Sequence, residues 1–366
     1  MKRIRSLDGL RAISILMVLL SHARKTMPLI LRKNYVLFYV ANSDIGVKIF
    51  FVISGYLITK LLIKEREKTG EVSLKNFYIR RVLRIFPVFY LYIFVILLIK
   101  WFFVPDIFSH YSLVFFAATY LWNYMHLFIH MPAGDKGGNI FGHFWTLAME
   151  EQFYLLWPII FIKTNKDNLI KIVIAIILIM PFLRIATYFF IPGSRGQIGM
   201  MLQTGGDTIL MGCLGALIEN SPYFKERLLK FLGNKFLIYF VILYLFFIST
   251  LITAHLHGAY DLLIGRSIDN IFIITLVFWC VYIPSTLSSV LNSKIFIQIG
   301  ILSYSLYIWQ QLFFRSGIDF WIFKFPANLI VVFLIGFLSY YLIEKPILSL
   351  KNRFKIHKSP IVGNPV

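Results

Sequence analysis

The sequence predicts an all-α integral membrane protein, a polytopic bundle of transmembrane helices. Of its 366 residues, 58% are hydrophobic and only 15% are charged, whereas an ordinary soluble domain carries about 25% charged residues. A soluble protein of this length could not bury so much apolar side chain in one or two domains. The composition therefore excludes a soluble fold and indicates a chain that crosses the membrane many times.

Eleven apolar segments are candidates for membrane spans, since a spanning helix needs about 20 predominantly apolar residues. They run near residues 9–27, 45–63, 85–104, 111–129, 144–162, 169–191, 198–218, 236–254, 268–286, 296–316 and 326–343. We expect one transmembrane domain over residues 1–350, followed by a basic cytosolic tail over residues 351–366.

The distribution of Lys and Arg predicts the orientation of the chain, because cytosolic loops carry an excess of these residues. The segment from Lys60 to Arg84 holds eight of them, and the segment from Lys345 to Lys358 holds five without an acidic residue. Further basic loops surround Lys166 and Arg227. We expect both termini in the cytosol of a multi-pass protein of the inner (plasma) membrane.

Parity between two of these cytosolic loops limits the number of spans. Three apolar segments lie between Arg84 and Lys163, and the chain must cross an even number of times there. The segment 111–129 contains Asn123, His126 and His130, so we expect it to be a re-entrant or interfacial segment on the outer side. About ten transmembrane helices remain.

The net charge of +20 alone is compatible with a nucleic-acid-binding protein. The basic residues lie between apolar runs, so we expect contacts with membrane lipids and no nucleic acid. Both cysteines fall inside apolar runs, and His126 and His130 have no acidic third ligand nearby. We therefore expect no metal, since a competent site needs three or four ligands. The oligomeric state stays open.

Ionisable residues inside a span are candidates for function, because burying them in the bilayer is costly. His22 lies about 21 Å along the first helix from Asp8, at about 1.5 Å per residue, and Glu150 begins the span at 144–162. A carboxylate at similar depth would accept a proton from one ring nitrogen and leave the other basic. The alternative is that His22 only caps a helix or faces a loop. Arg11 and His22 share one stripe of the first helix.

Arg81 and Arg84 lie one turn apart at the start of the third span. Their spacing places two guanidinium groups on one helix face, which suits bidentate contacts with phosphate. From spacing alone a plain cytosolic anchor, or contact with anionic lipid headgroups, is the stronger interpretation.

Six motifs, in order along the chain, resemble the acyltransferase family 3 of membrane proteins. They are RSLDGLRA at 5–12 leading to Ser21 and His22, FFVISGYLIT at 50–59, RRVLRIFPVFYLY at 80–92, HFWTLAMEEQFYLLWP at 143–158, ILSYSLYIW at 301–309 and LIEKP at 342–346. The family includes O-acetyltransferases of O-antigen, exopolysaccharide, Nod factor and peptidoglycan.

The resemblance implies a role for each matching residue. His22 corresponds to the proposed catalytic residue, and Glu150 to its acidic partner. Arg11, Arg81 and Arg84 correspond to residues that contact the acyl-CoA donor on the cytosolic side. The implied reaction transfers an acyl group, most simply acetyl from acetyl-CoA, to a hydroxyl of a carbohydrate or lipid-linked glycan acceptor.

Three positions depart from the pattern of the family. Gln310 follows Trp309 where a His is common, Lys48 stands where an acidic residue or Pro is common, and Gly205 precedes Asp207 by two where an Arg is common. They bear on the acceptor site more than on the donor motifs. Two alternatives remain at this point: a transporter or flippase of a glycolipid or small acylated substrate, and a non-enzymatic membrane protein.

Overall fold

The computed structural model describes residues 4–131 and 136–350. Within these ranges the regular elements are helices and no strand occurs, which confirms the all-α class. The predicted tail at 351–366 lies outside the described residues.

The helices that correspond to the eleven apolar segments are labelled α1 to α11 in chain order. Their bounds are α1 Arg5–Ala23, α2 Ser43–Thr69, α3 Leu74–Phe102, α4 Ser112–Ala118, α5 Phe144–Lys163, α6 Lys166–Phe190, α7 Asp207–Ile218, α8 Lys235–His255, α9 Arg266–Tyr282, α10 Lys294–Phe313 and α11 Ala327–Leu350. Shorter α-helices connect them at Leu29–Arg32, Tyr35–Val40, Gly137–Phe141, Leu202–Gly205, Leu229–Leu232 and Thr286–Leu291.

Seven helical stretches of the described residues are long and apolar enough to cross a membrane. They contain α1, α2, α3, α6, α8, α9 and α11. Helices α5 and α10 are not among the seven, although each has 20 residues and would measure about 30 Å. A multi-span helical membrane protein is therefore confirmed, and the count of ten spans and the cytosolic placement of both termini stay predictions.

Two of the apolar segments do not form one continuous helix. The segment 111–129 forms α4, which has seven residues, and a 3₁₀ helix at Trp122–Leu127. Seven residues rise only about 10 Å, so α4 is too short to cross. The segment 198–218 begins in the 3₁₀ helix Pro192–Met200, and only the 12 residues of α7 are a regular helix at its end.

Glycines allow the central helices to approach closely. A Cβ on Gly300 of α10 would lie 2.0 Å from the backbone oxygen of Asp8 on α1, and a Cβ on Gly55 of α2 would lie 1.9 Å from the backbone oxygen of Ile209 on α7. Small residues at such crossings are typical of helix packing in membranes. The close contact with α10 keeps α1, which carries both Arg11 and His22, in the centre of the bundle.

Candidate active site

A cavity of about 490 Å³ lies among six helices, α1, α2, α3, α5, α10 and α11. Arg11, Arg81 and Arg84 all line it, so the structure brings together the three arginines that the sequence singled out. Its size falls within the range of about 300–1,000 Å³ that is typical of small-molecule sites. Arg81 and Arg84 belong to the basic segment 60–84, for which the sequence predicts a cytosolic location.

Two of the three guanidinium groups contact neutral or aromatic side chains. Arg11 donates a hydrogen bond to the Ser303 hydroxyl over 3.0 Å. Arg81 lies over the ring of Tyr154, with 4.5 Å between the guanidinium carbon and the ring centroid. In the described part of the chain, none of the three forms an ion pair with a carboxylate. All three are half-buried, so their charges remain available to an anion that enters the cavity.

Arg80, which precedes this pair, has a different task. Its guanidinium forms a buried ion pair of 2.8 Å with Glu65 on α2. The other carboxylate oxygen of Glu65 accepts a hydrogen bond from the backbone nitrogen of Ser73, at the start of α3, over 3.2 Å. Arg80 therefore fixes the turn between α2 and α3, and it orients the helix face that carries Arg81 and Arg84.

Glu150 lines the same cavity as the arginines. Its carboxylate interacts with the charges of Arg81, Arg11 and Arg84 and with the hydroxyl of Ser54. We find no hydrogen bond between Glu150 and His22 among the described residues. The structure thus shows Glu150 beside the arginines and not in hydrogen-bond contact with His22, and their pairing stays a prediction.

The His22 ring lies beside α10 and meets two amides there. Its Nδ1 is 3.0 Å from Oε1 of Gln310 and 3.3 Å from Nε2 of Gln311. His22 is eleven residues beyond Arg11 on α1, or about 16 Å along the helix axis, whereas Glu150 lines the cavity together with Arg11. The partner of the imidazole is thus an amide on α10, at one of the three positions that depart from the family's pattern.

A second imidazole, which the sequence analysis missed, lies close to the first. His143 is 3% exposed, and its ring interacts electrostatically with that of His22. The centroids of the His143 and Tyr307 rings are 5.5 Å apart. The only sequence signal was that His143 opens the motif at 143–158, because nothing in its spacing from His22 indicates proximity.

Comparison with known proteins identifies the family of the chain. Residues 4–344 match the family described as acyltransferase domain. The chain belongs to the acyltransferase family 3. No solved structure matches it.

Curated relatives of this acyltransferase are O-acetyltransferases by name. The peptidoglycan O-acetyltransferase OatA of Listeria monocytogenes is 30% identical over 84% of this chain and 49% of its own length. The O-acetyltransferase OatA of Staphylococcus aureus strain NCTC 8325 is 28% identical over 93% of this chain and 56% of its own length. A putative O-acetyltransferase of S. aureus strain COL is 29% identical over 94% of this chain and 57% of its own length. The chain thus spans about half the length of these relatives.

The structure explains the departure at Gly205 in this family member. The buried carboxylate of Asp207 pairs with Arg184 of α6, which also donates through Nε to the backbone oxygen of Thr204 over 2.8 Å. A Cβ on Gly205 would lie 2.3 Å from the backbone oxygen of Gly199. The positive partner of Asp207 therefore comes from another helix, and no side chain fits at position 205.

Lys48 also has a structural explanation. Its ammonium lies 2.6 Å from Asp44, 3.0 Å from Asp261 and 2.8 Å from Asp269. These three carboxylates are the one group of the described residues whose spacing would suit a metal ion, but the Lys48 ammonium already occupies their centre. The cluster joins α2 to α9 and to the segment that precedes α9.

Replacing Lys48 with methionine is expected to lower the free energy of unfolding by about 3–5 kcal/mol, because it leaves the fully buried carboxylate of Asp269 without its partner. Thermal unfolding of the purified protein in detergent measures this effect as a lower Tm. The exposed Lys235, replaced in the same way, serves as the control. Equal Tm values for the two variants would show that the cluster contributes nothing to stability.

Proposed function

We propose that this membrane protein transfers an acetyl group from acetyl-CoA to a hydroxyl of a cell-surface polysaccharide, or of its lipid-linked precursor, at the plasma membrane. The observation that carries the proposal is the placement of Arg11, Arg81 and Arg84 around one cavity, from which α1 leads to His22. The names of the O-acetyltransferase relatives support the acetyl group and the polysaccharide acceptor.

The donor binds with its phosphates in the cavity. Each guanidinium offers several N–H donors in a planar fork that matches phosphate oxygens. Because the three arginines have no ion-paired carboxylate among the described residues, an entering phosphate does not have to displace one. The pantetheine arm of the donor extends along α1 and presents the thioester near His22.

His22 acts as the general base. With Nδ1 donating its proton to Oε1 of Gln310, the lone pair of Nε2 is free to accept a proton. The acceptor hydroxyl oxygen forms a bond to the thioester carbonyl carbon as its proton moves to Nε2. The carbon–sulfur bond then breaks, and the thiolate of CoA takes that proton. Transient acylation of His22 is the alternative route.

Glu150 contributes to this site as a positioning residue. Its carboxylate interacts electrostatically with the three arginines without a direct ion pair among the described residues, and this attraction helps to orient them around the donor phosphates. We expect Glu150→Gln to raise the KM for acetyl-CoA by about tenfold and to change kcat and its pH profile little, because the carboxylate acts on binding. Glu67→Gln, at an exposed position outside the cavity lining, is the control. A loss confined to kcat, with a shifted pH profile, would instead restore Glu150 as a direct partner of His22.

Chemical analysis of the cell surface tests the proposed function. Acetate released by mild alkali from surface polysaccharide is measured by mass spectrometry in cells with and without the protein. We expect ester-linked acetate to fall when the gene is deleted and to return with the wild-type gene but not with His22→Ala. Ester-linked acetate that is the same in all strains would remove surface polysaccharide as the acceptor.

A further inference from the structure

Buried polar groups without partners lie near the His22 ring on and beside α10. Gln310 is 0% exposed, His143 is 3% exposed and Trp309 is 6% exposed. Within the described residues, Nε2 of Gln310, both ring nitrogens of His143 and Nε1 of Trp309 have no hydrogen-bond partner. Buried polar groups are nearly always paired in folded proteins, because leaving them unpaired destabilises the fold. A concentration of such groups at one place points to a ligand that completes them.

The two groups nearest the imidazole lie along one face of α10, Gln310 as part of that helix and His143 packed against it. His143 packs against Tyr307 and is approached by the backbone of Ile308, which stays outside hydrogen-bond geometry. Gln310 lies three residues after Tyr307, so both positions are on the same side of the helix. The His22 ring interacts with both Gln310 and His143.

The donor cavity ends close to these groups. Tyr307 and Thr146 line the cavity, and the Thr146 hydroxyl donates to the Tyr307 hydroxyl over 2.8 Å. The Tyr307 hydroxyl in turn donates to the backbone oxygen of His143 over 3.1 Å. One layer of side chains therefore separates the arginine-lined cavity from the unpartnered donors.

We propose that Gln310 and His143 donate the hydrogen bonds that stabilise the oxyanion of the tetrahedral intermediate. This inference rests on the proposed function, because attack of a hydroxyl on a thioester places negative charge on the former carbonyl oxygen. The Gln310 amide then has two tasks: Oε1 accepts from Nδ1 of His22, and Nε2 donates to the oxyanion. Side-chain amides and imidazoles are known donors of this kind, and each is typically worth about 10²–10³-fold in kcat.

Two substitutions of Gln310 separate these tasks. Gln310→Leu removes both, whereas Gln310→Glu keeps an oxygen acceptor for His22 and replaces the donor by an oxygen. Gln298→Leu is the matched control, since Gln298 is on the same helix and its side chain hydrogen-bonds, among the described residues, to Tyr341 alone. For His143, the pair is His143→Gln, which keeps an N–H donor, and His143→Leu, which does not.

The assay uses membranes from cells that produce the full-length protein, so that the native acceptor is present. Incorporation of alkali-labile label from [¹⁴C]acetyl-CoA gives kcat and KM, and binding of S-acetonyl-CoA, an unreactive ketone analogue, gives the donor affinity. We expect Gln310→Leu and Gln310→Glu each to lower kcat by about 10²–10³-fold, with analogue binding within about twofold of wild type. His143→Gln is expected to retain more activity than His143→Leu, and Gln298→Leu to match wild type.

The outcomes distinguish the inference from the proposed function. If wild-type membranes incorporate acetyl and Gln310→Glu keeps a kcat within about threefold of wild type, the amide only orients His22 and the oxyanion role is overturned. Wild-type kcat in His143→Leu would remove His143 from the site. If wild-type membranes incorporate no acetyl from acetyl-CoA, the proposed function fails first, and this inference fails with it.

Discussion

Replacing His22 with alanine is expected to lower the rate of acetyl transfer by about 10²–10⁴-fold, the usual contribution of a general base. The ring accepts the proton of the attacking hydroxyl. Glu150 does not take this role, because it lines the cavity with Arg11, which is about three helical turns from His22 along α1. The rate is measured as alkali-labile acetyl incorporated from labelled acetyl-CoA.

The stability of the His22→Ala variant shows whether the loss of activity comes from the missing base or from unfolding. His22 lies one residue before the end of α1 and is only partly buried, so its removal should cost no more than its hydrogen bond to the buried Gln310, about 1–3 kcal/mol, and leave the purified protein folded. Ser21→Ala is the matched control, since it removes the neighbouring hydrogen bond of 3.1 Å to Ser43. Wild-type activity in a folded His22→Ala protein would exclude His22 as the base.

The double substitution Arg81→Ala with Arg84→Ala is expected to raise the KM for acetyl-CoA by about 100-fold. Both guanidinium groups are half-buried, so we take the lower end of the range for hydrogen bonds to charged groups, about 1.5 kcal/mol or tenfold for each arginine. The Tyr154 ring that supports Arg81 remains in place, so the cavity should keep its shape.

The same variant tests the lipid-anchor alternative for these arginines. Lys75→Ala removes an exposed positive charge from the same helix, outside the cavity lining, and should leave the KM for acetyl-CoA unchanged. If the double variant and Lys75→Ala have the same KM, Arg81 and Arg84 contact lipid headgroups or anchor the helix, and the donor phosphates bind elsewhere.

The sequence predicted the arginines of the cavity better than the partner of His22. Arg81 and Arg84 share a helix face by their spacing, and the resemblance to the family added Arg11. The contact between His22 and Gln310 joins residues 288 positions apart, and its geometry depends on the packing of α1 against α10. The periodicity of a single segment does not indicate how two helices pack against each other. A similar predicted depth in the membrane therefore did not identify the residue that contacts the His22 ring.

The same limit explains the remaining differences in the fold. Apolar composition indicated a span at 198–218, but Pro192 and the glycines that follow favour a broken segment, and only α7 is regular there. Lys48 stood out in the sequence as a departure from the family. Its partners Asp261 and Asp269 are more than 200 residues away, and only the folded chain shows that they neutralise it.

The proposed route of acetyl transfer is tested by supplying acetyl-CoA to one side of the membrane and following its products. Inside-out vesicles from cells that produce the protein expose the cytosolic face, and labelled acetyl-CoA is added outside them. We predict release of the CoA thiol together with alkali-labile acetyl on glycan, and neither in vesicles with His22→Ala. Equal thiol release and acetyl incorporation in wild-type and His22→Ala vesicles would contradict an acyl transfer that runs from the arginine-lined cavity through His22.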